Sequence, residues 1–141
     1  MTQEELNKIL KDHNLWLQSG ETEGKQANFA GVSLEELDLF GANLRQANFR
    51  WANLFKASLN GANLYRANFE GANLRWADLS RANLERAYLF KASLKGANLS
   101  EANLRKANFS WADLSEAILE NANFEDANIE GAVGLPRGLN T

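Results

Sequence analysis

The sequence predicts an all-β solenoid with an α-helical cap at its N-terminus, on three observations. A large apolar residue recurs at every fifth position for about a hundred residues, a small residue stands two places before all but two of them, and an amphipathic segment precedes the first repeat. From Phe29 through Leu34, Leu39 and on to Ile129, all 21 positions spaced by five are apolar. From Ala42 to Ala132 every position two residues earlier is Ala. A helix needs apolar residues three and four apart and a strand needs alternation, so neither continues through this pattern.

Taken in chain order, residues 1–26 read as a capping helix and linker. Thr2 and Glu5 have the spacing of a capping box, and Leu6, Ile9, Leu10, His13, Trp16 and Leu17 form one apolar side. This helix is expected to cover the edge of the first coil, which would otherwise pair with other molecules. Val32 and Leu37 replace the usual Ala just after it, as expected where larger residues meet a helix.

Residues 27–131 carry the repeat. In each unit the Ala and the Leu or Phe point to one side and the Asn between them to the other, and the next two residues turn a corner. Gly at the second corner position (Gly31, Gly41, Gly61, Gly71, Gly96, Gly131) suits a type II turn with positive φ. Trp, Lys, Arg and Glu at the same position predict turns with negative φ. Phe29, Phe49, Phe69 and Phe109 lie in one register of 20, four units, which favours four sides per coil. Asn43, Asn63, Asn83, Asn103 and Asn123 then fall one coil apart and are expected to hydrogen-bond along a ladder. Residues 132–141 read as a C-terminal cap or tail, where Pro136 cannot donate to a further coil.

The units ANLRQ, ANFRW, ANLFK, ANLYR, ANFEG, ANLRW, ADLSR and ANLSE resemble the pentapeptide repeat family, with motif A(D/N)Lxx, over roughly residues 27–131. The resemblance implies a right-handed quadrilateral β-helix of about five coils. The opening stretch resembles that of bacterial, especially cyanobacterial, members. Members of that family form end-to-end dimers, so a monomer and an end-to-end homodimer through Val133, Leu135 and Leu139 both stay open.

Little points to chemistry. There is no Cys, hence no disulfide and no thiolate metal site. The single His, His13, has no partner acid or nucleophile nearby in sequence, and reads as a structural or surface residue. GETEGKQ, residues 20–26, lacks the spacing and the Ser or Thr of a phosphate loop and carries two Glu. The acidic corners Glu116, Glu120, Glu125, Asp126 and Glu130 lack the clustering of a metal site. No enzyme, cofactor or metal is therefore expected. No apolar run is long enough to span a membrane, and the acidic, amphipathic start is unlike a secretory signal, so a cytoplasmic protein is expected.

Charge is segmented. Residues 1–40 carry net −5, residues 41–110 net +7 and residues 111–141 net −5. Outward positions hold many aromatic residues, and two surfaces follow as candidates. One is an interaction patch of Trp51, Phe55, Arg75 and Trp76; its alternative explanation is cation–π stacking of Phe55 with Arg75 and of Lys56 with Trp76. The other is a basic ladder of Arg66, Arg86 and Lys106, with Arg45 and Arg105 close by and Glu85 partly offsetting it; its alternative explanation is a solvated face whose long side chains splay into water.

Three functions are weighed. The preferred one is a non-enzymatic rigid scaffold that binds an unidentified protein. The resemblance also implies a DNA-mimic modulator of gyrase, as in quinolone-resistance relatives, but that role needs acidic rows where this chain is basic. Weak binding of a nucleic acid or anionic membrane through the basic middle is the third; the net charge of −3 argues against nucleic acid.

Overall fold

The computed structural model describes residues 1–141. Its one regular element is α1, Gln3–Gln18. The Thr2 hydroxyl accepts the Glu5 N–H at 3.1 Å, and the Glu5 carboxylate accepts the Thr2 N–H at 2.8 Å, completing the capping box. That bond to the Thr2 backbone holds the Glu5 carboxyl below its ordinary value. Leu6 and His13 are fully buried, and Ile9 and Leu10 pack partly on the core. The Gln3 carboxamide fastens the helix to the chain beyond, donating to the Asp38 carbonyl at 3.0 Å and accepting the Asp38 N–H at 3.1 Å.

From residue 27 the five-residue rhythm holds, but it does not build the expected architecture. The all-β solenoid, and with it the right-handed quadrilateral β-helix, is corrected: no β-strand or sheet forms. Backbone pairing consists of isolated one-residue parallel bridges, from Asn28↔Asn48 to Asp113↔Val133, each joining residues 20 apart. The physical reason lies in the corners. From Ala42 to Ala132 the Ala N–H of each unit bonds the carbonyl three residues back, as Ala52 to Phe49 at 3.0 Å, closing a turn on either side of a single extended residue. A strand has no room to lengthen.

A second expectation fails at the same corners. The second corner residue takes positive φ whether or not it is glycine: Trp51 at 58°, Lys56 at 56°, Arg66 at 57°, Trp76 at 60° and Glu101 at 59°. The left-handed region costs a non-glycine residue of order 1–3 kcal/mol. That residue's N–H bonds a carbonyl of the following turn of chain wherever one follows, as Lys56 to Arg75 at 3.0 Å, but Glu116, Asn121 and Asp126 keep the same φ without such a bond, so the turn closed by the next Ala N–H also holds it.

One unit, Ala52 to Lys56, shows why the motif has its composition. Ala52 N–H bonds Phe49, Asn53 N–H bonds Val32 one turn back, and Leu54 N–H and Lys56 N–H bond Asn73 and Arg75 one turn on. The remaining donor, Phe55 N–H, bonds Asn53 Oδ1 at 3.1 Å. All five donors are satisfied, as buried backbone requires. The Asn or Asp is thus first a local acceptor for the N–H two residues on, and the same bond recurs from Ala30 to Glu130. Ladder bonds are a supplement: Asn48 to Asn28 at 3.2 Å, Asn73 to Asn53 at 3.1 Å, Asn103 to Asn83 at 3.1 Å and Asn83 to Asn63 at 3.5 Å. Asn43 and Asn123 make no such bond, so the expected five-rung ladder is shorter.

Inside, the Leu, Phe and Ala of successive turns form one core. Phe29, Phe49 and Phe69 stack with centroids 5.0 and 4.7 Å apart. Phe124, outside that column, meets Phe109 at 5.6 Å and 45°. Leu135 and Leu139 pack partly against the last turn, where Ile118 and Val133 stay exposed.

Candidate functional site

Since every interior position is filled, the outward side chains are what the molecule can offer. Phe55 and Arg75 occupy one corner on consecutive turns, Trp76 follows Arg75, and Trp51 stands at the preceding corner, with the Asn53↔Asn73 bridge between. The four predicted residues therefore share a face. Trp51 and Trp76 are 58% and 46% exposed, yet neither hangs free. A Cβ placed on Gly71 would run into the Trp51 indole, one on Gly96 into Trp76, and one on Gly131 into Trp111. Each indole lies over a glycine 20 residues later, which is the sequence signal that the reading of exposed aromatics missed.

The cation–π pairs expected here do not form. Lys56 Nζ sits 5.3 Å from the centroid of its neighbour Phe55 rather than over Trp76, and Arg75 covers no ring. Other pairs exist instead: Arg45 and Arg66 each lie 5.4 Å from the Tyr65 centroid, and Lys91 lies 5.3 Å from that of Phe90.

Arg66, Arg86 and Lys106 do line up. Arg66 N–H bonds Glu85 and Arg86 N–H bonds Arg105, so the three stand at one corner of three consecutive turns, all exposed. None has a carboxylate within 4.0 Å, whereas Arg50 pairs with Glu70 (3.0 Å), Arg81 with Glu101 (3.0 Å), Lys95 with Glu116 (4.0 Å) and Arg105 with Glu125 (3.2 Å). The side of the stack that follows this corner carries Tyr88, 38% exposed and stacked on Phe90 with centroids 6.0 Å apart. Sequence reasoning noted that outward positions hold many aromatic residues but assigned Tyr88 and Phe90 no site. The signal was AYLFK, where Tyr88 stands in place of the Asn that elsewhere accepts the corner N–H.

Nothing in the structure gathers three or more His, Cys, Asp or Glu side chains into a metal site. The surface depressions lie along α1, lined by residues such as Lys8, Asp12, Leu15 and Lys25, away from both candidate faces. No helix is long and apolar enough to cross a membrane. Of the two readings of His13, structural or surface, its burial selects the structural one, and its imidazole bridges helix and coil: Nδ1 accepts the Ala27 N–H at 2.9 Å, so Nε2 carries the proton and donates to the Arg45 carbonyl at 3.0 Å. Burial pushes its pKa down, and the Arg45 bond opposes this.

A family model described as pentapeptide repeats, in eight copies, matches residues 33–71, 47–86, 67–105, 82–121 and 107–133. No curated protein matches. Among solved structures the chain is similar to a pentapeptide repeat protein (Rfr23) of the cyanobacterium Cyanothece 51142, at 28% identity and TM-score 0.76, covering 87% of this chain and 98% of that one. It is also similar to a pentapeptide repeat protein of the Arabidopsis thaliana thylakoid lumen, at 26% identity and TM-score 0.54, covering 81% and 71%. A third, HetL of the cyanobacterium Nostoc sp. strain PCC 7120, is 32% identical with TM-score 0.34, covering 82% and 68%. With its repeats matched across more than half its length, the chain belongs to the pentapeptide repeat family.

Proposed function

We propose that this chain is a non-enzymatic rigid scaffold that binds another protein through side chains displayed on its corners. The observation that supports it is the division of labour within each unit: Ala and Leu or Phe fill the core, and Asn completes the backbone bonding. Two corner residues per unit are left to vary, in a register that repeats every 20 residues. Such a lattice holds exposed groups in fixed positions, which lowers the entropy lost on binding. Trp51 and Trp76, seated over Gly71 and Gly96, are rigid aromatic anchors of the kind that dominate interfaces. With Phe55 and Arg75 they form one candidate contact face. The basic middle of the chain does not suit a mimic of duplex DNA.

The test is crosslinking and affinity capture from the native host, followed by titration of the purified partner against wild type and a Trp51→Ala/Trp76→Ala variant. A saturable complex with the wild type is expected, weakened at least about tenfold if this face carries it. A purified chain that forms no saturable protein complex overturns the reading.

A further inference from the structure

The basic corner is not the corner of Trp76, and the aromatic side beside it ends at Phe90, on the corner that carries Trp51 two turns earlier. We propose that this face, centred on Arg66, Arg86, Lys106, Tyr88 and Phe90, docks an acidic helical segment of a partner protein. The inference rests on the scaffold reading above and adds the face and the chemistry of its occupant.

Three observations converge on it. First, Arg66, Arg86 and Lys106 repeat in register on three turns without an ion pair, although four other cations of the same surface find carboxylates 20 or 21 residues away. Like charges stacked in this way repel, and an anion placed along them relieves the repulsion. Secondly, Tyr88 gives up the side-chain acceptor that Asn supplies elsewhere, and stands exposed against Phe90, itself held by Lys91. An exposed Tyr beside Arg side chains with no carboxylate partner, one of them Arg66 lying over Tyr65, is the composition of an interface anchor. Thirdly, the dimensions fit a helix. Stacked rings on successive turns are 4.7 to 5.0 Å apart, so the span from Arg66 to Lys106 is about 10 Å, close to the rise between residues i and i+7 of an α-helix, about 10.5 Å. Carboxylates at i, i+3 or i+4, and i+7 would each meet one cation.

The charge segmentation limits the length of the occupant. The basic middle is bounded by Glu35, Glu36 and Asp38 on one side and by Glu116, Glu120 and Asp126 on the other. A short acidic helix stays within the middle turns, whereas a polynucleotide extending past them meets carboxylates at both ends. Glu85, at the same corner and without an ion pair, is a built-in opponent of an acidic ligand.

The probes are a fluorescein-labelled helix-forming peptide with Glu at i, i+3, i+4 and i+7, the same peptide with Gln in place of Glu, and a labelled single-stranded oligothymidylate. Anisotropy titrations against the full chain should show the Glu peptide bound most tightly, more weakly as salt rises. Arg66→Gln/Arg86→Gln should weaken it roughly tenfold, Tyr88→Ala should weaken it further, and Glu85→Gln should tighten it roughly twofold to fivefold. Unchanged circular dichroism and Tm would show that the exposed variants still fold. Equal binding of the Glu and Gln peptides, indifference to the Arg variants, a looser complex with Glu85→Gln, or tighter binding of the oligonucleotide each overturns the inference. If a captured partner still binds the Arg66→Gln/Arg86→Gln variant at full strength, the scaffold reading survives and this face is not its site.

Discussion

Gly61 and Gly96 hold the same place in their units and nearly the same φ, 69° and 71°, but only Gly96 carries an indole on top of it. Gly61→Ala therefore isolates the strain of the left-handed region and should lower stability by about 1 kcal/mol. Gly96→Ala adds the displacement of Trp76 and should lower it by clearly more. In the Trp76→Ala background the extra loss should vanish, a coupling that denaturant titration of the four proteins would measure; additive losses would mean that the indole is not seated there. Conversely, Glu36, exposed at φ 61° and free of ion pairs, marks a corner where glycine fits. Glu36→Gly should be neutral or stabilise by up to about 1 kcal/mol, because relief of strain competes with glycine's greater freedom in the unfolded chain.

At the scale of an element, α1 depends on its cap and on one imidazole. Thr2→Ala removes half of the capping box and should lower stability by about 0.5–2 kcal/mol, read by thermal or chemical denaturation. His13 makes the docking sensitive to pH, because a proton on Nδ1 would break the bond from Ala27 and place a charge in a buried site. Its folded pKa lies below the ordinary value of 6.5, so on acidification the unfolded state takes up the proton first. This contribution is complete above pH about 6.5 and is lost as the pH falls from there through the folded pKa. Between pH about 7.5 and about 5.5 the Tm of the wild type should decline, and that of His13→Gln should decline less. Identical slopes would remove the imidazole from the account.

Over the whole molecule, position along the stack decides the value of a core side chain. Leu74 has complete turns on both sides and no exposure, whereas Leu119, in the last turn, is only partly buried. Leu74→Ala should lower stability by about 2–5 kcal/mol, and Leu119→Ala by much less, as equilibrium denaturation would show. Ala72→Leu should also destabilise, by overpacking of about 1–3 kcal/mol. The inward set from Phe29 to Phe124 was readable from spacing alone, as was the capping box. The candidate faces were only half readable. Register placed Arg66, Arg86 and Lys106 together, but their lack of carboxylate partners, the seating of Trp76 on Gly96 and the pairing of Tyr88 with Phe90 depend on which rotamer meets which neighbour one turn away.

The sequence by itself determined the period, the inside and outside of each unit, the start of α1 and the family, because these follow from which residues avoid water and which cap a helix. The tertiary structure alone decided that each side shrinks to one bridging residue, that Trp51 and Lys56 adopt positive φ, and that His13 joins Ala27 to Arg45. Those outcomes are set by hydrogen bonds between residues distant in the chain, 20 apart for the bridges and 14 and 32 apart for His13, and a local propensity of a few tenths of a kcal/mol yields to them.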